Sequence, residues 1–363
     1  MTQVPLELWP VVYRLATGAE WPPRGEAQIS AFFDLANREK ILPLLMEEPN
    51  LPSEITAAKP KFRALCAFYR KRYELARDAI LDLQRVLGTD AFLLLKGSDY
   101  CHRLYPRPEL RPMVDVDILI PAAKFQAAIE LLAAAGYPRK YNDFGAGFAP
   151  GHHEYSIEIG NVLVEPHRSF GQRVRARIDY AGMWRRREWF DGESIGAYRL
   201  SPADAILSHA FTLALDEFSS QLIRYVDLFF LLQLYESELP ECVARAKAWG
   251  IERALFGALH LVCSLFPVLM TATVKEATGA LLDASTRHFL IDRVLPDPKV
   301  ELSGHVTGRY VQLWRKFSLM DRHWRRLALC FHSAYETTVG SAIEWRIRRS
   351  GRFIPPRSTI GSQ

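Results

Sequence analysis

Asp115 and Asp117 stand two residues apart in Arg111-Pro112-Met113-Val114-Asp115-Val116-Asp117, and the apolar run Ile118-Leu119-Ile120 follows at once. On a strand, side chains at i and i+2 share a face, so this spacing sets two carboxylates side by side. Such a pair repels itself unless a cation lies between, and Mg²⁺ favours a few carboxylates together with substrate phosphates. Upstream, Lys96-Gly97-Ser98 follows the apolar run Phe92-Leu93-Leu94-Leu95 and leads into a predicted helix. Glycine lets the backbone come close to a ligand there, and a helix N-terminus aims N–H groups at anionic oxygen. A backbone turn for phosphate followed by a carboxylate pair for metal is the equipment of nucleotidyl transfer. An Asp-x-Asp or a Lys-Gly-Ser says little by itself; their order along the chain carries the reading.

The surrounding patterning supplies elements to hold these groups. Phe92–Leu95, Val116–Ile120, Tyr155–Ile159 and Val162–Val164 are short, β-rich runs between turn residues, and a further short strand is expected over Ala197–Leu200. Gly160-Asn161 reads as a hairpin turn. Before the sheet, Lys61 to Gly88 has a helical stripe of Leu65, Tyr69, Tyr73, Ala76, Ile80, Leu83 and Leu87, with Gly88 as C-terminal cap. The first 50 residues predict short helices broken at Pro22-Pro23, Pro43 and Pro49. After Ser201, a cap with Pro202 at the first helical position, the helical pattern runs with breaks to about Arg349.

The stretch LLLKGSDYCHRLYPRPELRPMVDVDILI resembles the signature of the uncharacterised nucleotidyltransferase family, within the polymerase-β-like nucleotidyltransferase superfamily. The likeness continues through the helix Ala122–Ala135, Val164-Glu165-Pro166-His167, Leu200-Ser201-Pro202-Ala203-Asp204, His209 and Arg224-Tyr225-Val226-Asp227, covering roughly residues 60 to 235. It implies an α+β fold: a small mixed sheet with N-terminal helices and a larger C-terminal helical domain. The corresponding divisions are 1–90, a nucleotidyltransferase-like core over 91–200, helices over 201–349 and a loose tail over 350–363. It further implies a metal-dependent enzyme moving a nucleoside monophosphate from an NTP such as ATP to an acceptor hydroxyl. Asp115, Asp117 and Glu165 are the implied catalytic carboxylates and ligands of Mg²⁺ (or Mn²⁺). Lys96, Gly97, Ser98, Arg111 and His167 are the implied nucleotide-side contacts.

Several of these residues also admit plainer roles. Glu158 and Glu154 compete with Glu165 for the third carboxylate. Pro166 denies its strand a backbone donor and belongs at an edge or a strand end. His167 positions Glu165, touches phosphate, or is a core histidine. Lys96 pairs with phosphate or with the acidic cluster, and Arg111 reaches a phosphate or closes the loop Tyr105–Pro112. His152 and His153 lie in a Gly-rich loop, where solvated side chains are the simpler reading. Asp204, His209, Arg224 and Asp227 read mainly as structural, with Arg224 and Asp227 at the spacing of an intrahelical pair.

The composition sets bounds on the rest. A chain of 363 residues accommodates two or three modules around a buried core. Its five cysteines are odd in number and widely scattered, without zinc-site spacing or a disulfide framework, which suits free thiols in a reducing compartment. The N-terminal residues lack signal-peptide features, and Leu255–Met270 is interrupted by His260 and Pro267 and too short for a membrane span. The expectation is a cytoplasmic protein without a membrane partner. A net charge of +5 does not by itself demand nucleic acid. Tryptophan–arginine clusters such as Trp184-Arg185-Arg186-Arg187, Trp314-Arg315-Lys316, Trp324-Arg325-Arg326 and Trp345-Arg346 suit base stacking, but suit solvated helix faces better. A small-molecule or peptide acceptor is therefore favoured. The rival functions are a non-catalytic nucleotide- or peptide-binding module of the same fold and an RNA-modifying enzyme of toxin–antitoxin type.

Overall fold

A computed structural model describes residues 4–22, 25–137, 155–171, 175–192, 195–296 and 309–321. The expectations for His152, His153, Glu154, the clusters at Trp324 and Trp345, and the tail over 350–363 lie outside those residues. The chain opens with helices α1 (Leu8–Thr17), α2 (Glu26–Arg38), α3 (Leu42–Glu47), α4 (Ser53–Ala58) and the long α5 (Arg63–Leu87). Then follow β1 (Leu93–Leu94), α6 (Lys96–Arg103), β2 (Asp115–Leu119), α7 (Phe125–Ala134), β3 (Ile157–Ile159) and β4 (Val162–His167). After α8 (Tyr180–Arg185), β5 (Glu188–Gly192) and β6 (Ile195–Arg199), the chain is helical: α9 (Pro202–Leu215), α10 (Leu222–Tyr235), α11 (Leu239–Trp249) and α12 (Glu252–Leu265). The last described helices are α13 (Ala272–Leu281), α14 (Ala284–Phe289) and α15 (Arg309–Ser318). The fold is α+β, mostly helical, around one mixed sheet.

The six strands lie in the order β3-β4-β2-β1-β6-β5. β2 runs parallel to β4 and antiparallel to β1, while β1 runs parallel to β6. Side-chain alternation gives the sheet two unlike faces. Phe92, Leu94, Val116, Ile118, Ile120, Ile157, Ile159, Val162 and Val164 join one apolar cluster with α5 and α7. Leu93, Leu95 and Leu119 point the other way, into a cluster shared with α1–α3 and α9–α13. Burying one such Leu or Ile side chain contributes about 1.5–3 kcal/mol, so register is fixed: a one-residue slip would turn Val116 and Ile118 into the polar face and the two aspartates into the hydrocarbon.

Local chemistry accounts for the element ends. Gly88 stops α5 with φ +90°, and Gly160, with φ +59°, turns β3 back into the antiparallel β4. Ser201 accepts from Asp204 N at the start of α9, with Pro202 at the first helical position. Differences from the sequence reading are small but physical. Leu65, at the start of α5, is exposed. β4 continues through Pro166 to His167 because that proline's missing donor faces the side where β3 has already ended; Tyr155 N donates there to Pro166 O (3.1 Å). β5 was not anticipated, since Glu188-Trp189-Phe190-Asp191-Gly192 mixes charge, aromatics and glycine and hides its period.

Candidate active site

β2 presents Asp115 and Asp117 on the face opposite Val116 and Ile118, toward the helical layer. The parallel register sets Asp117 directly across from Glu165, and Leu119 across from His167. Oxygen and nitrogen atoms of Asp117, Glu165 and His167 come within 4.8 Å of one another. His167 Nε2 is 2.7 Å from Asp117 Oδ1, and Lys96 Nζ donates to the same oxygen at 2.7 Å. Glu158 shares the sheet face but is exposed, a strand farther from β2.

Electrostatics separate the two aspartates. Burial alone would push the Asp117 carboxyl up, but Lys96 and His167 outweigh it and hold it well below the usual carboxylate range. Asp115 is shifted the other way, first by burial and then by the negative charge of Asp117, against partial relief from Lys96, Lys40 and Arg111. Lys96 loses by burial and gains more from Asp117, so its ammonium is stabilised. Its backbone carries φ +45°, a strained conformation for a lysine, at the turn from β1 into α6.

The carboxylates open into a cavity of about 440 Å³ between the sheet and helices α9 and α10. Asp115, Asp117 and His167 line it from the sheet, with Lys96, Gly97 and Arg111 beside them. His209, Thr212 and Asp216 line it from α9 and its end, and Gln221, Ile223 and Arg224 from the start of α10. Lys40, just beyond α2, completes the wall.

Three expectations change in detail, while Gly97 keeps its place. Ser98 is fully buried and turned inward; its hydroxyl donates to Leu95 O or Asp117 O (2.6 and 2.8 Å), tying the turn to β2 instead of facing the cavity. Gly97 does line the cavity, and its lack of a side chain has a local cause: an added Cβ would lie 2.5 Å from Arg111 Nη1. Arg111 closes the loop Tyr105–Pro112 through a carboxylate that comes from α10. It donates to both oxygens of buried Asp227 (2.7 and 3.3 Å), which also accepts from Tyr105 Oη at 2.7 Å. Arg224 and Asp227 consequently do not form the intrahelical pair. Arg224 pairs with Asp216 and donates to Ser220 Oγ (2.8 Å) and Thr212 Oγ1 (3.0 Å).

The other helical candidates divide by position. Asp204 lies outside the cavity wall, where it takes Arg186 (3.0 Å to each oxygen) and Arg245 (2.8 Å). Arg187 lies over the Tyr198 ring at 4.3 Å, so the Trp184 cluster spends two of its cations inside the protein. His209 faces the cavity with Nε2 2.7 Å from Arg224 O. Burial, then the charge of Arg224, pull its pKa down to about 4, so the ring is neutral and Nε2–H donates.

The sequence model of the uncharacterised nucleotidyltransferase family matches residues 25–267, more than half of the chain. The chain belongs to that family. For this nucleotidyltransferase the match spans every cavity-lining residue named above, from Lys40 to Arg224. No curated protein matches the chain. No helix among the described residues is long and apolar enough to cross a membrane, and Cys66, Cys101, Cys242 and Cys263 are free thiols. Sequence reasoning missed Lys40, Thr212, Asp216, Gln221 and Ile223 in the wall; for Lys40 the signal was a helix ending in Arg38-Glu39-Lys40 without a glycine.

Proposed function

We propose that this nucleotidyltransferase moves a nucleoside monophosphate from an NTP to a hydroxyl of a small-molecule or peptide acceptor. The observation that carries the reading is the pairing of Asp117 with Glu165 across parallel strands, beside His167, where Asp117 and His167 line a cavity walled by lysine and arginine. The donor set fits a divalent cation of magnesium or manganese type: carboxylate oxygens of Asp117 and Glu165 lie together with His167, which holds Asp117 in place, and Asp115 on the same strand face is the further carboxylate we assign to it. Bound there, such an ion supplies Lewis-acid neutralisation of phosphate charge.

The chain's own groups then have distinct tasks. Asp117, kept ionised by its two cationic neighbours, holds its charge at the floor of the cleft. Lys96 offers its ammonium to the phosphates once Asp117 has another cation to face. The acceptor oxygen bonds to the α-phosphorus while the bond from that phosphorus to the β-bridging oxygen breaks, its electron pair leaving with pyrophosphate. The hydroxyl proton passes to Glu165 and from there to water. Catalysis is positioning and charge neutralisation, without a covalent intermediate on the protein.

A cavity of about 440 Å³ falls within the range of small-ligand sites, which supports a compact acceptor. The internal use of Arg186 and Arg187 weakens the case for a polynucleotide. We place the reaction in the cytoplasm, consistent with the free thiols.

The test is thermal unfolding of wild type and Asp117→Asn with ATP, GTP, CTP and UTP, each with and without Mg²⁺. A ligand at a hundred times its Kd stabilises by about 2.7 kcal/mol. The expected result is a Mg²⁺-dependent rise with at least one NTP in wild type that is lost in the variant. Equal shifts in both proteins would contradict the assignment of Asp117.

A further inference from the structure

Helix α2 ends in a way that a lysine makes difficult. Ile41 N donates to Ala36 O (2.9 Å) and Lys40 N to Asn37 O (3.0 Å), and Lys40 carries φ +59°. This is the left-handed closing turn in which glycine is the favoured residue, because a side chain there costs conformational energy. The turn is also pinned from outside. Gln221 Nε2 donates to Arg38 O (2.9 Å), Leu222 N to Glu39 Oε2 (2.8 Å) and Ile223 N to Glu39 O (3.2 Å), with Glu39 fully buried. The end of α2 and the start of α10 are thus locked together, 183 residues apart in sequence, and the strained residue between them lines the active-site cavity.

The charge arrangement makes Lys40 unlike its neighbours. Lys96 is matched by Asp117, Arg111 by Asp227 and Arg224 by Asp216. The Lys40 ammonium forms no hydrogen bond or ion pair among the described residues. It is half-buried; burial, Arg111 and Arg224 oppose its charge, and Asp115 and Asp227 offset that only in part. A partly desolvated cation with no carboxylate in ion-pair contact is stabilised when an anion comes to it. Asp115 and Asp117 occupy the sheet side of the cavity, whereas Lys40 enters from the helical side, where Asp216 is taken by Arg224.

We infer that Lys40, seconded by Arg224, seats the non-transferred phosphates of the nucleoside triphosphate. The inference rests on the nucleotidyl-transfer reading and assigns the pyrophosphate end of the substrate to the N-terminal helices. Lys40 neutralises the charge that builds on the leaving pyrophosphate as the α-phosphorus bond breaks, and it discriminates a triphosphate from a monophosphate.

Calorimetric titration of the full chain with Mg²⁺ and ATP, AMP or pyrophosphate tests this, replacing the adenine series by the base that wild type prefers. Lys40→Gln is expected to weaken triphosphate and pyrophosphate binding by about 10- to 100-fold, as for loss of one charged hydrogen bond, and monophosphate binding by less than about 2-fold. Lys40→Arg is expected to retain most of the affinity. Lys40→Gly separates binding from folding, since glycine suits the left-handed turn: it should unfold at an equal or higher temperature yet lose triphosphate affinity like Lys40→Gln. Unchanged triphosphate affinity in Lys40→Gln, with wild-type binding still dependent on Asp117, overturns the inference and leaves the nucleotidyl reading intact. Equal loss for monophosphate and triphosphate also overturns it. Wild type that binds none of the probes overturns the nucleotidyl reading itself.

Discussion

The two faces of strand β2 are built on opposite principles. Val116, Ile118 and Ile120 enter a hydrocarbon layer with α5 and α7, where stabilisation comes from burying apolar surface. Asp115 and Asp117 face the helices α9 and α10 across a cavity held open by ion pairs: Lys96–Asp117, Arg111–Asp227 and Arg224–Asp216. The hydrocarbon face tolerates exchange of like-sized groups and punishes lost volume. The polar face punishes any change of charge that leaves a partner buried alone. Function requires both, since the apolar face holds the register that aligns Asp117 with Glu165.

The sharpest break in this comparison is at Asp227. Asp227→Ala strands Arg111 beneath the cavity and removes the acceptor of Tyr105, so denaturant unfolding should show a loss of about 3–5 kcal/mol. The NTP-dependent stabilisation should fall with it, because Arg111 also packs against Gly97. On the apolar face, Ile118→Ala should cost about 2–5 kcal/mol of stability while leaving the NTP-dependent shift of the remaining folded protein unchanged. If Ile118→Ala abolishes that shift, the two faces are not separable as described.

A smaller, graded effect belongs to His209. Its folded pKa is about 4 against an ordinary value of 6.5, so between those values the unfolded chain takes up a proton that the folded protein refuses. The stability associated with a neutral His209 is therefore full above pH 6.5 and declines as pH falls toward 4, by on the order of 3 kcal/mol at the low end. His209→Gln preserves a donor to Arg224 O and should flatten that part of the pH–stability curve. Identical slopes for the two proteins would place the ring outside the buried, neutral state.

The contrast also explains what could be read from the sequence. Period-two alternation along Asp115–Ile120 showed which residues share a face, and the caps at Gly88 and Ser201 and the turn at Gly160 follow from local backbone chemistry. Pairings across long separations were not legible. Arg111 finds Asp227 116 residues away, and nothing near either position announces it. Spacing made Arg224 and Asp227 look like partners, yet each is claimed by a tertiary neighbour. Ser98 sat in the right motif, but its hydroxyl is used to bind the turn to β2, which depends on strand order. Lys40 was invisible because its role arises only when α2 docks on α10.

The most direct test of the metal centre is Mn²⁺ binding followed by electron paramagnetic resonance, with and without NTP, in wild type, Asp117→Asn and Glu165→Gln. The expected result is a bound Mn²⁺ signal in wild type that strengthens with NTP and drops by about tenfold or more in apparent affinity in both variants. Mn²⁺ binding that is the same in all three proteins would contradict a metal centre built on the pairing of Asp117 with Glu165.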